Sequence, residues 1–328
     1  MYLLTRLFSL VLVLAALPAM AGPAVLLTPV LGRSQEVTLQ GRVLAETPRG
    51  STALTRNVRR LLTRNQVGAR VELSFLGVSA TVTSGNDGDF QVTLRPPEGH
   101  TFPAGLHKAE ARVKDAHAEA RVEILPEATP FLVISDFDDT VAITQVTEPQ
   151  KLVANALLRD ADTQRVVPGM AAFYGCLGAE VGGAPAFALV SGSPIQFASR
   201  VEAFLSRHRF PPFGLYLRDI GPDTLSGYKQ PLIRALLRQF SQPVVLVGDS
   251  GEHDPEVYAQ IREEFPGRVR AIYIRDAGRT EEASRFRDMV LFQDVRSAAE
   301  HAVQSGLARP ACLTTAFPPP AQGAKGTP

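Results

Sequence analysis

Asp136-Phe137-Asp138-Asp139-Thr140 places two carboxylates two residues apart, directly after the apolar run Phe131 to Ile134. A short apolar run between breakers predicts a buried parallel strand, and open α/β sheets bind ligands beyond the carboxyl ends of their strands. On a rigid turn at that edge, one carboxylate can attack phosphorus while the other moves the proton. Ser191 follows the run Ala186 to Val190, and Asp249 and Asp254 follow the run Pro243 to Val247. Lys229 stands at the start of the helix expected before that third run. Hard carboxylate oxygens suit Mg²⁺, while a hydroxyl and an ammonium suit phosphate oxygens.

These residues meet in space only if the elements between them bring the strand ends to one edge. From Pro130 onward, apolar runs alternate with expected helices at Gly169–Gly178, Ile195–Arg207, Lys229–Phe240 and Pro255–Glu264, with a fourth run at Ala271–Ile274. That alternation predicts an α/β unit over 130–308, a parallel sheet with helices on both faces. Residues 35–126 read differently. Period-two alternation at 37–43, 69–75, 79–83, 90–94, 107–113 and 118–124, broken by turn residues, predicts a small antiparallel β-sandwich.

Each chemical signal also has a plain structural reading. A D-x-D after a strand is often a solvated acidic turn, and Ser191-Gly-Ser-Pro194 serves as a helix N-cap. Asp249 and Asp254 can cap the helix beginning at Pro255, and a single lysine is usually a surface residue. Their order and shared strand-end placement favour a site. Glu252 competes with Asp254 for the second acidic position; His253 reads as an exposed loop residue and Asp139 as a turn carboxylate. Lys151–Leu158 offers a small flap, and no large cap fits between the motifs.

Asp136-Phe-Asp-Asp-Thr140, Ser191, Lys229 and Gly248-Asp-Ser-Gly-Glu-His-Asp254 match, in order, the four motifs of haloacid-dehalogenase (HAD) superfamily phosphatases. Gly248 to Tyr258 and Ala271-Ile-Tyr-Ile-Arg-Asp276 resemble the actin-patch-associated phosphatidate phosphatases of fungi and their bacterial relatives. Ser191–Pro194 and Phe204 to Arg218 strengthen that resemblance, which covers 130–292. It implies a HAD-like Rossmannoid sheet and an aspartyl-phosphate on Asp136, with Asp138 as acid and base and Thr140 shaping the turn. It also implies phosphoryl oxygens held by Ser191 and Lys229. The metal would be Mg²⁺ on Asp136, Asp249 and the Asp138 main-chain carbonyl, with Asp254 supporting it directly or through water. The implied substrate is a phosphatidate-like lipid phosphate. A soluble phosphorylated metabolite or nucleotide stays open, as does a non-catalytic exported binding protein whose sandwich does the work.

The 328 residues carry a formal net charge of +1, so nothing global argues for nucleic acid. Arg6, the apolar stretch Leu7–Leu17 and Ala19-Met-Ala21 form a signal peptide over 1–21, which predicts a periplasmic or secreted protein. The stretch is shorter than the ~20 residues of a spanning helix. Cys176 and Cys312 are the only cysteines; an expected buried helix around one and a Pro-rich tail around the other argue against pairing. Residues 313–328 read as a disordered tail. The acid-free stretch Arg49–Gln66 predicts a basic amphipathic helix, with Leu54, Val58, Leu61 and Leu62 as its apolar stripe. It packs on the sandwich or makes a peripheral contact with an anionic membrane.

Overall fold

The computed structural model describes residues 22–48, 55, 59, 61–144, 163–177, 183–218 and 225–317. The expected signal peptide, the expected flap at Lys151–Leu158 and the end of the expected tail lie outside the described residues, as does most of the Arg49–Gln66 stretch. Of that stretch, Thr55, Arg59, Leu61 and Leu62 are described as helical, and Leu62 stands 75% exposed rather than packed on the sandwich. Among the described residues no helix is long and apolar enough to cross a membrane.

The first eight strands are β1 (Ala24–Leu27), β2 (Val30–Gly32), β3 (Val37–Leu44), β4 (Arg70–Phe75), β5 (Val78–Thr83), β6 (Asp89–Leu94), β7 (Gly105–Val113) and β8 (Ala116–Ile124). They form a three-stranded sheet, β1-β3-β6, and a five-stranded sheet, β2-β8-β7-β4-β5. Both sheets turn alternate residues into one core: Val37, Leu39 and Val43 from one, and Val71, Leu73, Phe75, Val122 and Ile124 from the other. Period two therefore did identify the strands. Two expectations are corrected. The sandwich begins at Ala24, not 35, and β2 runs parallel to β8, so it is not purely antiparallel.

The rest of the chain supplies β9 (Leu132–Ser135), a small hairpin of β10 (Ala142–Ile143) and β11 (Arg165–Val166), then α1 (Met170–Leu177) and β12 (Ala186–Pro194). A 3₁₀ turn at Ile195–Phe197 leads into α2 (Ala198–Arg207), followed by β13 (Gly214–Arg218), α3 (Leu225–Gln239) and β14 (Val244–Asp249). Next come α4 (Asp254–Glu264), β15 (Val269–Arg275), β16 (Val290–Phe292), α5 (Val295–Gln304) and α6 (Pro310–Ala316). The six-stranded sheet has the order β13-β12-β9-β14-β15-β16 and every pairing is parallel. Counted along the chain from β9, that is the doubly wound order, reversing direction between β9 and β14.

Both faces are covered, which is why these strands read as unbroken apolar runs. Val133, Val245 and Val247 face α1, α2 and α5. Leu132, Ile134, Val244 and Leu246 face α3 and α4. The chain is helical at Pro310–Ala316, so the first residues of the expected 313–328 tail are ordered, and Cys312 lies in the core 5.4 Å (Cα to Cα) from Cys176. The two are disulfide-bonded, which corrects the expectation of unpaired cysteines. A second correction concerns Ser191–Pro194, which continues β12 through an irregularity in its pairing with β13 instead of forming a helix-capping turn.

Candidate active site

β9 and β14 lie side by side at the reversal point, so the residues after them share one crevice. Asp136 is still held in register, its N–H donating to the Val247 carbonyl at 2.9 Å. Asp249 ends β14, and the turn Ser250–His253 folds back so that Asp254 opens α4 beside it. Gly248 permits this approach. A Cβ there would stand 2.4 Å from Asp254 Oδ2 and 2.8 Å from the Tyr258 ring. The result is three buried carboxylates, Asp136, Asp249 and Asp254, each with an oxygen within 4.8 Å of the others'.

Lys229 sits on α3 with its side chain only 3% exposed. Its Nζ lies 2.9 Å from Asp136 Oδ1, 2.6 Å from Asp254 Oδ1 and 3.1 Å from Glu252 Oε2. Burial alone would lower the pKa of this lysine, but the charges of Asp136, Asp254 and Glu252 outweigh it and keep the ammonium protonated. Burial pushes the Asp136 and Asp249 carboxyls well above the usual range, and the Lys229 charge offsets only part of that. Asp254 is raised for the same reason.

The inventory therefore fits a divalent cation. One ammonium does not balance the clustered carboxylates, and Asp136 Oδ2 and Asp249 Oδ2 are buried without a hydrogen-bond partner. Asp249 Oδ1 is already taken by the Gly251 and Glu252 N–H groups at 2.7 and 3.3 Å. Oxygen donors in a rigid acidic crevice suit a hard cation.

Asp138 turns away from that cluster. Its Oδ2 accepts from Ser193 Oγ at 3.1 Å and Ser191 Oγ at 3.3 Å, while the Ser193 N–H donates to Ser191 Oγ at 3.0 Å. Burial raises its pKa to about 6, with the Glu252 charge adding to the shift and Ser193 opposing it. A carboxyl near that value gives up and takes back a proton readily at neutral pH. Asp139 holds its turn in a left-handed conformation, φ 54°, with Oδ1 accepting from the Thr144 N–H at 2.8 Å. It is a turn carboxylate, as its position implied. Thr140 is fully buried in the same turn.

The sequence residues Asp136, Asp138, Ser191, Lys229, Asp249 and Asp254 thus converge. Asp254, not Glu252, joins the buried trio, and Glu252 instead pairs with Lys229. The His253 side chain is 58% exposed and faces Glu256. Ser193 escaped the sequence reading because its motif looked like a cap; its only signal was lying two residues after Ser191.

Residues 131–276 match the family described as the phosphatidate phosphatase APP1 catalytic domain. This segment resembles an APP1-type catalytic domain. Phosphatidate phosphatase APP1 of Saccharomyces cerevisiae is 31% identical over 176 residues, covering 49% of this chain and 29% of that protein. An uncharacterized protein of Schizosaccharomyces pombe is 31% identical over 153 residues, 44% of this chain and 25% of that protein. The chain therefore spans less than a third of either relative. A carbohydrate acetylesterase from Xanthomonas citri aligns over 70% of this chain and 60% of its own at 13% identity; its TM-score of 0.27 carries no argument.

Proposed function

We propose that this chain is an exported phosphatase of HAD type that hydrolyses a phosphatidate-like lipid phosphate through an aspartyl-phosphate on Asp136. The observation that carries the reading is the Asp136, Asp249 and Asp254 cluster with Lys229 Nζ 2.9 Å from Asp136, inside an APP1-type segment. A carboxylate Oδ of Asp136 attacks phosphorus, and the bond from phosphorus to the ester oxygen breaks. Asp138, partly exposed and held by Ser191 and Ser193, gives its proton to the departing alcohol. Asp138 then takes a proton from water as that water attacks the phosphorus, releasing phosphate and restoring Asp136. Lys229 and the Ser191 hydroxyl hold phosphoryl oxygens, the positioning on which phosphoryl transfer chiefly depends. Asp136, Asp249, Asp254 and the Asp138 main-chain carbonyl would hold Mg²⁺. Bound there, it would neutralise charge on the phosphoryl oxygens.

The substrate class follows from the family match alone, and the buried disulfide supports export to an oxidising compartment. Phosphate release should require Mg²⁺, stop in excess chelator and return on adding Mg²⁺. Given phosphatidate in mixed micelles beside soluble sugar phosphates and nucleotides, the protein should prefer the lipid. Full turnover in excess chelator sinks the site chemistry, while equal or better turnover of soluble esters sinks only the lipid assignment.

A further inference from the structure

The loop that carries Asp249 and Asp254 is gripped from outside by the segment after β15. Arg285, with its side chain 10% exposed, donates Nη1 to the Ser250 carbonyl at 3.1 Å and Nη2 to the Glu252 carbonyl at 2.9 Å. Arg279 donates Nη1 to the Gly251 carbonyl, between them, at 3.1 Å. Three successive loop carbonyls therefore point outward to two guanidiniums. Glu256 holds Arg285 from the far side through both its oxygens, at 2.5 and 3.2 Å. The Ser250 hydroxyl joins the same segment, accepting from the Ala277 N–H at 3.0 Å and donating to the Gly278 carbonyl at 2.5 Å.

A planar trans peptide aims its C=O and the next N–H in opposite directions. The Ser250 carbonyl shares its plane with the Gly251 N–H, and the Gly251 carbonyl shares its plane with the Glu252 N–H. Those two N–H groups are the donors to Asp249 Oδ1. Pulling the carbonyls outward thus turns both N–H groups inward onto one oxygen, and leaves Asp249 Oδ2 as the buried oxygen without a partner. Arg279 itself is held left-handed, φ 60°, beside Gly278 at φ 101°. A non-glycine residue keeps that conformation only where its surroundings demand it.

We propose that Arg279 and Arg285 are positioning residues for the divalent-cation site, acting through the Ser250–Glu252 peptide planes to present Asp249 Oδ2 to the cation. This rests on the proposed reading of the site. The test is titration calorimetry of the full chain with Mg²⁺ alone, with no substrate, beside kinetics across a range of Mg²⁺ concentrations. Arg285→Gln removes two of the three outward contacts and should raise the Mg²⁺ Kd roughly 10–100-fold, the range typical of partners behind metal ligands. Arg279→Gly keeps the left-handed backbone open and should raise it several-fold. In both variants high Mg²⁺ should restore most of kcat. A Kd equal to the parent's in the folded variants overturns the proposal, even where their melting temperature falls, because the arginines would then serve only the loop's stability. If Arg285→Gln does not fold, Arg279→Gly decides the matter by the same measure. A parent that binds no Mg²⁺ overturns the reading of the site as well, whereas a parent that binds beside variants that bind equally overturns this inference alone.

Discussion

The two sheet systems of this chain differ in how they handle burial, and the difference explains where chemistry is possible. In the sandwich, β7 and β8 alternate between more buried and more exposed residues along their length. In the doubly wound sheet, β9 and β14 are buried throughout. Antiparallel strands deliver alternating termini to each edge, so no edge of the sandwich collects like-positioned side chains. Parallel strands deliver every carboxyl end to one edge. Among the described residues the buried carboxylates, Asp136, Asp139, Asp249 and Asp254, all lie in the parallel part.

The sharpest break between the two regions is Asp136→Asn. It should leave folding intact and lower phosphate release by several orders of magnitude, because an amide cannot attack phosphorus. Near-parental turnover by the folded variant would remove the proposed nucleophile. Asp138→Asn should cost about 10²–10⁴-fold, most for esters with poor leaving groups. A loss independent of leaving-group pKa would show that Asp138 does not supply the proton. No single substitution in the sandwich should approach either effect.

Much of this was legible because the residue types are chemically restricted and follow apolar runs. Asp136 and Asp249 needed only the strand-end argument to be brought together, and Lys229 its place in the helix before the third apolar run. Elements outside that logic were harder to see. β13 has five residues behind two prolines, and β16 has three, too short for any period to register. β1 and β2, of four and three residues, fall in the stretch 22–34 that the period-two reading left unassigned. The helix α6 was hidden by the Pro-rich composition after it, and with it the disulfide. The arginine grip on the Asp249 loop was illegible in principle, since its acceptors are main-chain carbonyls, which every residue has.

The staple belongs to the parallel region alone, joining α1 to α6. Its loss should cost that region about 2–5 kcal/mol. Cys312→Ser should therefore lower the melting temperature while leaving turnover at ambient temperature close to the parent's. A melting curve unchanged by reductant would show that the bond contributes nothing there.

Two glycines separate packing from function. A Cβ on Gly248 would meet Asp254 and Tyr258, and one on Gly41 would lie 2.0 Å from the Leu26 carbonyl, between β3 and β1. Each alanine variant should lose about 1–3 kcal/mol from overpacking. Only Gly248→Ala should also weaken Mg²⁺ binding, by displacing Asp254. Equal Mg²⁺ affinity in both would uncouple Asp254 from the cation.

The smallest effect expected lies on the seam between the regions, and it asks whether they act as one body. β13 is an edge strand, and an uncovered edge leaves backbone groups unpaired. Here the Leu215 N–H donates to the Pro29 carbonyl at 2.8 Å, and the Leu215 carbonyl accepts from Gln40 Nε2 at 3.3 Å. The Leu31 N–H donates to Tyr216 Oη at 3.3 Å, and Leu31 packs with Tyr216, Leu125 and Ile134 in the core below α3. β2 and the residue before it, with Gln40 of β3, thus cover the β13 edge of the parallel sheet. Tyr216→Phe leaves the buried Leu31 N–H without its acceptor, a loss of about 1–3 kcal/mol at most, and less for a bond this long. Tyr216 pairs with Val190, one residue short of Ser191, but its ring lies in the core below α3 and not in the acidic crevice, so turnover should not change. Calorimetry should give one unfolding transition for the parent and one, slightly lower, for the variant, because the shared core outweighs the single hydrogen bond. Two separated transitions in the parent would show that the sandwich melts on its own, and that the seam is a docking contact between independent units.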